Sequence, residues 1–301
     1  MADLPKRRLG KTGADVTILG FGAMELRGGP SGPEVTDEQA EMILNAVLDN
    51  GINFIDTSID YGRSEELIGK YISHRRDEYF LASKCGCVIG SQQGEHIHTA
   101  ENIRKGVENS LKLLKTDHLD LLQFHSSLTK EEFEQDGALQ EALQLRDEGK
   151  VRFVGVSGTL PNLVEQIDMD VFAAFQIPYS ALQLEHEEVI AKAAATGHGT
   201  IIRGGVARGA PSDWNRLYYM VPSKTLKDRW EEAKLDELLT GMSRMEFILR
   251  FTLSHPGLTT TIVGTKNPDH LKDNIDVAMK GPLPAEVLAE AKRRLEAAGA
   301  V

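Results

Sequence analysis

Residues 53–72 read NFIDTSIDYGRSEELIGKYI, and the fold of the chain is decided there. A short apolar run, Phe54-Ile55, ends on a carboxylate, Asp56, and a polar turn through Thr57, Ser58 and Asp60 leads to Tyr61-Gly62. A helix is expected to open at Ser64 as its N-cap, with Glu65 and Glu66 in the first turn, where the helix dipole favours negative charge. Leu67, Ile68, Tyr71 and Ile72 then fall on one helical face, the face that packs inward. Asp56 and Tyr61 therefore sit between a buried strand and a surface helix. In a parallel α/β fold, side chains in that position reach a ligand.

Outward from this stretch the same rhythm repeats. Upstream, residues 7–10 and 15–18 flank Lys11-Thr12-Gly13 as a hairpin closing one end of the fold, and residues 18–22 read as a first inner strand. Thr36-Asp37-Glu38-Gln39 has the form of a capping box, with Ile43, Val47 and Leu48 carrying its helix forward. Downstream, strands are expected over 79–83, 119–124, 151–156, 171–177, 200–202 and 260–263. The intervening helices are expected over 99–114, 130–148, from about 161, and over 187–195, 225–239, 244–254 and 268–279. Gly149 stands where a glycine ends a helix, and Pro161 where a fixed φ suits a first turn. A last helix, 284–298, lies outside the repeat.

Eight strand-then-helix units without a linker-like stretch predict one α/β domain over residues 1–301. Its expected architecture is a single (β/α)8 TIM barrel with an N-terminal β-hairpin and extra C-terminal helices. A doubly wound sheet is the alternative, but no G-x-G-x-x-G follows the first strand. At 301 residues and 41% hydrophobic content the chain can bury a large core. It has no apolar run long enough to span a bilayer and no charged-then-apolar leader, so a cytoplasmic protein without a membrane partner is expected. A net charge of −11 argues against a nucleic-acid partner, though a local basic pocket can still hold an anionic cofactor. Cys85 and Cys87, the only two cysteines, are too close for an unstrained bridge and read as reduced thiols. They offer too few ligands for a metal site on their own, and none is expected.

Active-site residues of such a barrel come from the C-terminal ends of several strands. Those positions hold Asp56 with Tyr61, Lys84, His125, Ser157, Gln176, Arg203 and Gly264-Thr265-Lys266. A single Tyr or Lys after a strand is usually a loop residue, and a single His a hydrogen-bonded core residue. The case rests on the set. A phenol with a pKa near ~10 is a poor acid at neutral pH, and a lysine ammonium beside it lowers that pKa. A carboxylate paired with the lysine keeps it charged and aimed. A histidine at the mouth can hydrogen-bond a carbonyl oxygen and share in proton transfer. The four suit reduction of a small-molecule carbonyl, with the hydride drawn from a redox cofactor.

The chain resembles the aldo-keto reductases, nicotinamide-dependent barrel enzymes, over nearly its whole length. The resemblance is carried by FIDTSIDYGRSEELIGKYI, FLASKCG, DLLQFH, GKVRFVGVSG and GTKNPDHLKDN, in that order. It implies that Asp56, Tyr61, Lys84 and His125 are the catalytic tetrad with Tyr61 as general acid. It also implies that Ser157 and Gln176 hold the nicotinamide carboxamide. Where many members have Ser-Asn after the fifth strand, this chain has Ser157-Gly158, and where members often place an aromatic ring after the seventh, it has Arg203. A guanidinium plane can also stack. In the loop that follows, Gly204, Gly205, Ala207 and Arg208 bring backbone N–H groups within reach of a pyrophosphate.

In GTKNPDHLKDN the last strand runs into a helix N-terminus, a natural phosphate site. The resemblance places Thr265 and Lys266 at the 2′-phosphate of NADP and Asn274 at the adenine. His270 stands where some members carry arginine, which keeps NAD open beside NADP. A slow cofactor-binding regulatory barrel, of the kind found among channel-associated relatives, is the main rival reading. A hydrolase would need two acids facing across the mouth, and Asp56 and Asp60 lie on one short turn. The substrate-shaping loops leave the substrate open, as the sequence leaves the oligomeric state.

Overall fold

Alternation along short parallel strands sorts the side chains of this chain into an inner and an outer set. The computed structural model describes residues 4–29, 32, 34–91, 94–207, 209 and 223–299. Strands β1 (Lys6–Arg8) and β2 (Asp15–Thr17) form an antiparallel hairpin. The next eight are β3 (Leu19–Gly22), β4 (Phe54–Asp56), β5 (Phe80–Cys85), β6 (Leu119–Phe124), β7 (Val151–Ser157), β8 (Ala174–Pro178), β9 (Gly199–Arg203) and β10 (Thr260–Val263). They pair in parallel, in sequence order, and β10 closes on β3.

The first helices are α1 (Asp37–Asp49), α2 (Ser64–Tyr71), α3 (Ala100–Leu114), α4 (Lys130–Gln135), α5 (Ala138–Asp147) and α6 (Leu163–Asp168). They are followed by α7 (Glu187–Ala195), α8 (Ser223–Glu232), α9 (Arg244–Leu253), α10 (Pro268–Met279) and α11 (Ala285–Ala297). No helix among the described residues is long and apolar enough to cross a membrane.

Two apolar cores follow from the alternation. Phe54, Phe80, Ala82, Leu121, Ala174 and Ile201 point into the barrel, where Leu9 and Val16 of the hairpin close the N-terminal end over them. The rings of Phe54 and Phe80 stack there, 5.7 Å apart. Their strand neighbours Ile55, Leu81, Leu122 and Phe175 point outward instead, into the core shared with Ile43, Leu67 and Ile103 of the helices. The hairpin end is thus filled, and only the C-terminal end is left to hold a site.

Local signals in the sequence fare unevenly. Thr36 caps α1 as expected: its hydroxyl accepts from Gln39 N, and the Gln39 side chain accepts from Thr36 N, both at 3.2 Å. Ser64 does not cap α2. It is the first helical residue, fully buried, and its hydroxyl donates to the Ala23 carbonyl at 3.0 Å and touches Thr57 Oγ1 at 2.8 Å. A buried hydroxyl must find such partners, and these tie α2 to the start of the chain. Glu65 is likewise no solvated first-turn acid; it is 2% exposed and accepts from Ser83 Oγ at 2.6 Å.

The helix expected over 130–148 is two helices. The chain breaks at Asp136-Gly137, with Gly137 at φ +71, and the freed Asp136 carbonyl accepts from Ala100 N at the start of α3. The helix expected over 225–239 also divides, into α8 and a 3-10 turn over Leu235–Leu238. Helix α6 begins at Leu163, two residues beyond Pro161.

Candidate active site

The inward positions of the last strand layer carry polar side chains rather than apolar ones. Asp56 ends β4, Lys84 and Gln123 face each other in register on β5 and β6, and Ser157 faces Gln176 across β7 and β8. Lys84 Nζ donates to Asp56 Oδ2 and to the Thr57 carbonyl, both at 2.7 Å. The other carboxylate oxygen, Asp56 Oδ1, accepts from Gln123 Nε2 at 2.9 Å and Gln176 Nε2 at 2.7 Å. Gln176 Oε1 in turn accepts from Ser157 Oγ at 3.1 Å. A buried carboxylate costs several kcal/mol of desolvation, and this one meets that cost with one cation and two amides. Burial, the largest single influence, pulls Lys84 down, but Asp56 together with Tyr61 and Asp60 outweighs it and holds the ammonium above its ordinary pKa.

Tyr61 reaches this pair from the loop after β4. Gly62 sets its position: at φ +48 the backbone passes Arg27 so closely that a Cβ would lie 2.2 Å from the Arg27 carbonyl oxygen. The Arg63 N–H donates to that same carbonyl at 3.0 Å. Lys84 Nζ then stands 4.8 Å from the centre of the Tyr61 ring. The expected lowering of the phenol pKa by Lys84 is present but outweighed. Loss of hydration is the larger effect, and the phenol stays above its ordinary value, with Asp56 and Asp60 adding to the rise.

His125 follows β6 and stands edge-on to Tyr61, ring centres 6.1 Å apart. Burial first, then the positive charges of Lys84 and the neighbouring groups, holds its pKa well below the ordinary value, so the imidazole is neutral near pH 7. Its Nδ1 lies 3.2 Å from Cys87 Sγ and 3.5 Å from Asp60 Oδ2. Asp56, Tyr61, Lys84 and His125 are therefore brought together, as are Ser157 and Gln176 beside them.

The remaining candidates lie around the mouth. Arg203 ends β9 and is close enough to His125 for its charge to be felt there. Gly204, at φ +72, opens a tight turn closed by the Ala207 N–H on the Gly204 carbonyl at 2.7 Å. Gly205 packs so tightly that a Cβ would meet Thr261 Oγ1 at 2.2 Å. Arg208 lies outside the described residues. Gly264 and Thr265 follow β10, and Thr265 Oγ1 accepts from Asn267 N at 3.0 Å. Lys266 Nζ donates to the Glu34 carbonyl at 2.7 Å, bridging to the segment before α1. His270 is exposed on the first turn of α10, and Asn274 is half-buried one turn later.

Sequence reasoning missed Gln123, whose signal was a lone amide in the apolar strand DLLQF. It also missed Cys87 and His96, which come to the site only through pairing within the loop after β5.

Comparison with known proteins identifies relatives of this chain. The family model described as "Aldo/keto reductase family" matches residues 18–296. An uncharacterized oxidoreductase, YqkF, of Bacillus subtilis is 29% identical, covering 91% of this chain and 90% of its own. An L-galactose dehydrogenase of Arabidopsis thaliana is 28% identical, covering 91% of this chain and 88% of its own. Among solved structures, the holo form of an aldo-keto reductase from Bacillus halodurans superposes with a TM-score of 0.83. That pair shares 28% identity, over 97% of this chain and 96% of the other.

Proposed function

This chain belongs to the aldo/keto reductase family, and we propose that it is an NADPH-dependent reductase of aldehydes or ketones, with NADH as the alternative donor. The observation that carries the reading is the buried Asp56–Lys84 pair lying against Tyr61, with His125 across the mouth. Tyr61 donates the proton to the developing alkoxide. Lys84 stabilises the phenolate left behind, and Asp56 keeps Lys84 charged and fixed. His125, neutral, orients the carbonyl oxygen toward Tyr61.

The donor set fits a nicotinamide dinucleotide. Ser157 and Gln176 present a hydroxyl and an amide beside the tetrad, and Arg203 presents a flat cation. Gly204 and Gly205 supply backbone N–H groups for the pyrophosphate, in a turn that the Ala207 N–H closes on the Gly204 carbonyl, with Arg208 next in sequence. Gly264, Thr265, Lys266, His270 and Asn274 supply the adenosine end, where the N-terminus of α10 favours an anion. The bound cofactor supplies the hydride; the protein's part is to hold the carbonyl and deliver the proton.

The raised phenol of Tyr61 favours the rival, a cofactor-binding barrel that turns over slowly, because a weaker acid transfers its proton less readily. Steady-state oxidation of NADPH and NADH against a panel of aldehydes and ketones decides between them. Turnover of at least one carbonyl at an ordinary enzymatic rate, roughly 1 per second or faster, supports the reductase. Saturable cofactor binding without turnover on any member supports the rival.

A further inference from the structure

At the edge of the tetrad, and sharing His125 with it, four side chains of metal-ligand type converge from three separate segments. Asp60 comes from the loop after β4, Cys87 and His96 from the connection between β5 and α3, and His125 from the end of β6. One ligand atom from each lies within 4.8 Å of all the others. His125 Nδ1 is 3.2 Å from Cys87 Sγ and 3.5 Å from Asp60 Oδ2, and the rings of His96 and His125 meet edge to face with centres 5.0 Å apart. A tetrahedral zinc ion, with bonds of about 2.0–2.3 Å, holds its ligand atoms about 3.3–3.8 Å apart, so small side-chain rotations complete the shell.

We propose that Asp60, Cys87, His96 and His125 form a binding site for a zinc-class divalent ion at the mouth of the barrel. This goes beyond the reductase reading and departs from the expectation, drawn from the cysteines alone, that the chain has no metal site.

Three features point to a ligand rather than to ordinary packing. His96 Nε2 is shielded from solvent and has no hydrogen-bond partner among the described residues. Ser58 Oγ donates to Asp60 Oδ1, which leaves Oδ2 turned toward His125 and holds the carboxylate as an outer-shell partner does. Cys87 and His96 are joined as an isolated antiparallel bridge, which places the two side chains on one face of their loop. The donor chemistry selects the ion. One sulfur and two imidazoles suit zinc, cobalt or copper and disfavour magnesium and calcium, which take oxygen shells. A thiolate and a carboxylate neutralise the two positive charges. On binding, the Cys87 thiol gives its proton to solvent and the sulfur donates its pair to the metal, without oxidation or reduction.

Cobalt(II) is the probe, added to the full chain after dialysis against a chelator. The expected result is one cobalt per chain, with the intense visible bands of a tetrahedral site and a sulfur-to-cobalt charge-transfer band, all removed by one equivalent of zinc(II). Cys87→Ser should abolish the charge-transfer band. His96→Ala should weaken cobalt by more than the ~10–100-fold that loss of a mere supporting contact costs. His74→Ala, on the far surface, serves as the control and should bind as the parent does. Absence of stoichiometric cobalt binding, or equal affinity in the parent and in both ligand variants, overturns the site.

Discussion

Lys84 Nζ and Asp56 Oδ2 are 2.7 Å apart with both side chains hidden from solvent, so the charge of each is met by the other. Period-two alternation makes this meeting possible. Asp56 on β4 and Lys84 on β5 occupy inward positions of neighbouring strands, two residues beyond the apolar layer formed by Phe54 and Ala82. The pair therefore caps the barrel core and at the same time presents a cation to the Tyr61 ring 4.8 Å away.

Lys84→Met tests both halves of that statement. Removing one member of a buried ion pair costs about 3–5 kcal/mol, because the other charge is left behind. Gln123 and Gln176 still donate to Asp56, so the variant should fold with a loss near the lower figure. Carbonyl reduction near pH 7 should fall by about a hundredfold or more, since the phenolate of Tyr61 loses its positive neighbour. Urea denaturation and steady-state kinetics on the same preparation check the two effects separately. A pH–rate profile overlaying that of the parent would remove Lys84 from catalysis.

Tyr61→Phe should leave the architecture intact and act on turnover. The ring keeps its edge-on contact with His125 and its place above Lys84, so only the hydroxyl is lost. A proton donated only in the transition state affects kcat rather than cofactor binding, and general acid catalysis is worth roughly 10²–10⁴-fold. Cofactor titration should give a Kd within about twofold of the parent, while kcat falls by at least two orders of magnitude. Retention of most of the parental kcat would assign the proton to another group.

The barrel could be read from the sequence because its strands are largely apolar on both faces and six of the eight end at or beside a polar residue. Asp56, Lys84, His125, Ser157, Gln176 and Arg203 mark six strand ends in succession. What escaped the reading depends on contacts distant in sequence. The 130–148 stretch carries a continuous helical pattern, and it breaks at Gly137 because the Asp136 carbonyl is wanted by the first turn of α3. Ser64 looks like a cap, yet its hydroxyl is claimed by Ala23, 41 residues earlier. Gln123 was hidden by its apolar neighbours, although an amide on the inner face of a barrel strand must be satisfied there, and Asp56 is its partner.

Glu65 should give the protein a step in stability between pH 4.5 and 7. Burial, partly opposed by the Ser83 hydrogen bond, pushes its carboxyl up from the ordinary 4.5 to about 7. Between those values the folded chain holds a proton that the unfolded chain has released. Stability therefore falls as pH rises through the window and levels off above it. The full drop is roughly 3 kcal/mol, at about 1.4 kcal/mol for each tenfold change in proton affinity. Glu65→Gln keeps the shape and the acceptor for Ser83 but cannot ionise. Urea midpoints measured from pH 4 to 8 should show the step in the parent and none from this site in the variant; identical curves would mean that Glu65 does not titrate in the window.

Lys266 should decide between the two cofactors. It lies between β10 and α10, just before the N-cap Asn267, where the helix N-terminus favours an anion, and the 2′-phosphate that distinguishes NADPH carries up to two negative charges. A charge-assisted hydrogen bond to that phosphate contributes roughly 1.5–3 kcal/mol. Two features of this chain reduce the net gain. Lys266 must first release the Glu34 carbonyl, a bond of about 1 kcal/mol, and Asp269 places a carboxylate on the first turn of α10. Lys266→Ala should thus weaken NADPH by about tenfold and leave NADH nearly unchanged, because NADH has no group for the ammonium to meet. A lysine that serves only to pin the segment around Glu34 would behave differently, shifting both cofactors together through that segment. Fluorescence titration of both cofactors with both proteins separates the cases, and equal shifts for NADPH and NADH would exclude recognition of the phosphate by Lys266.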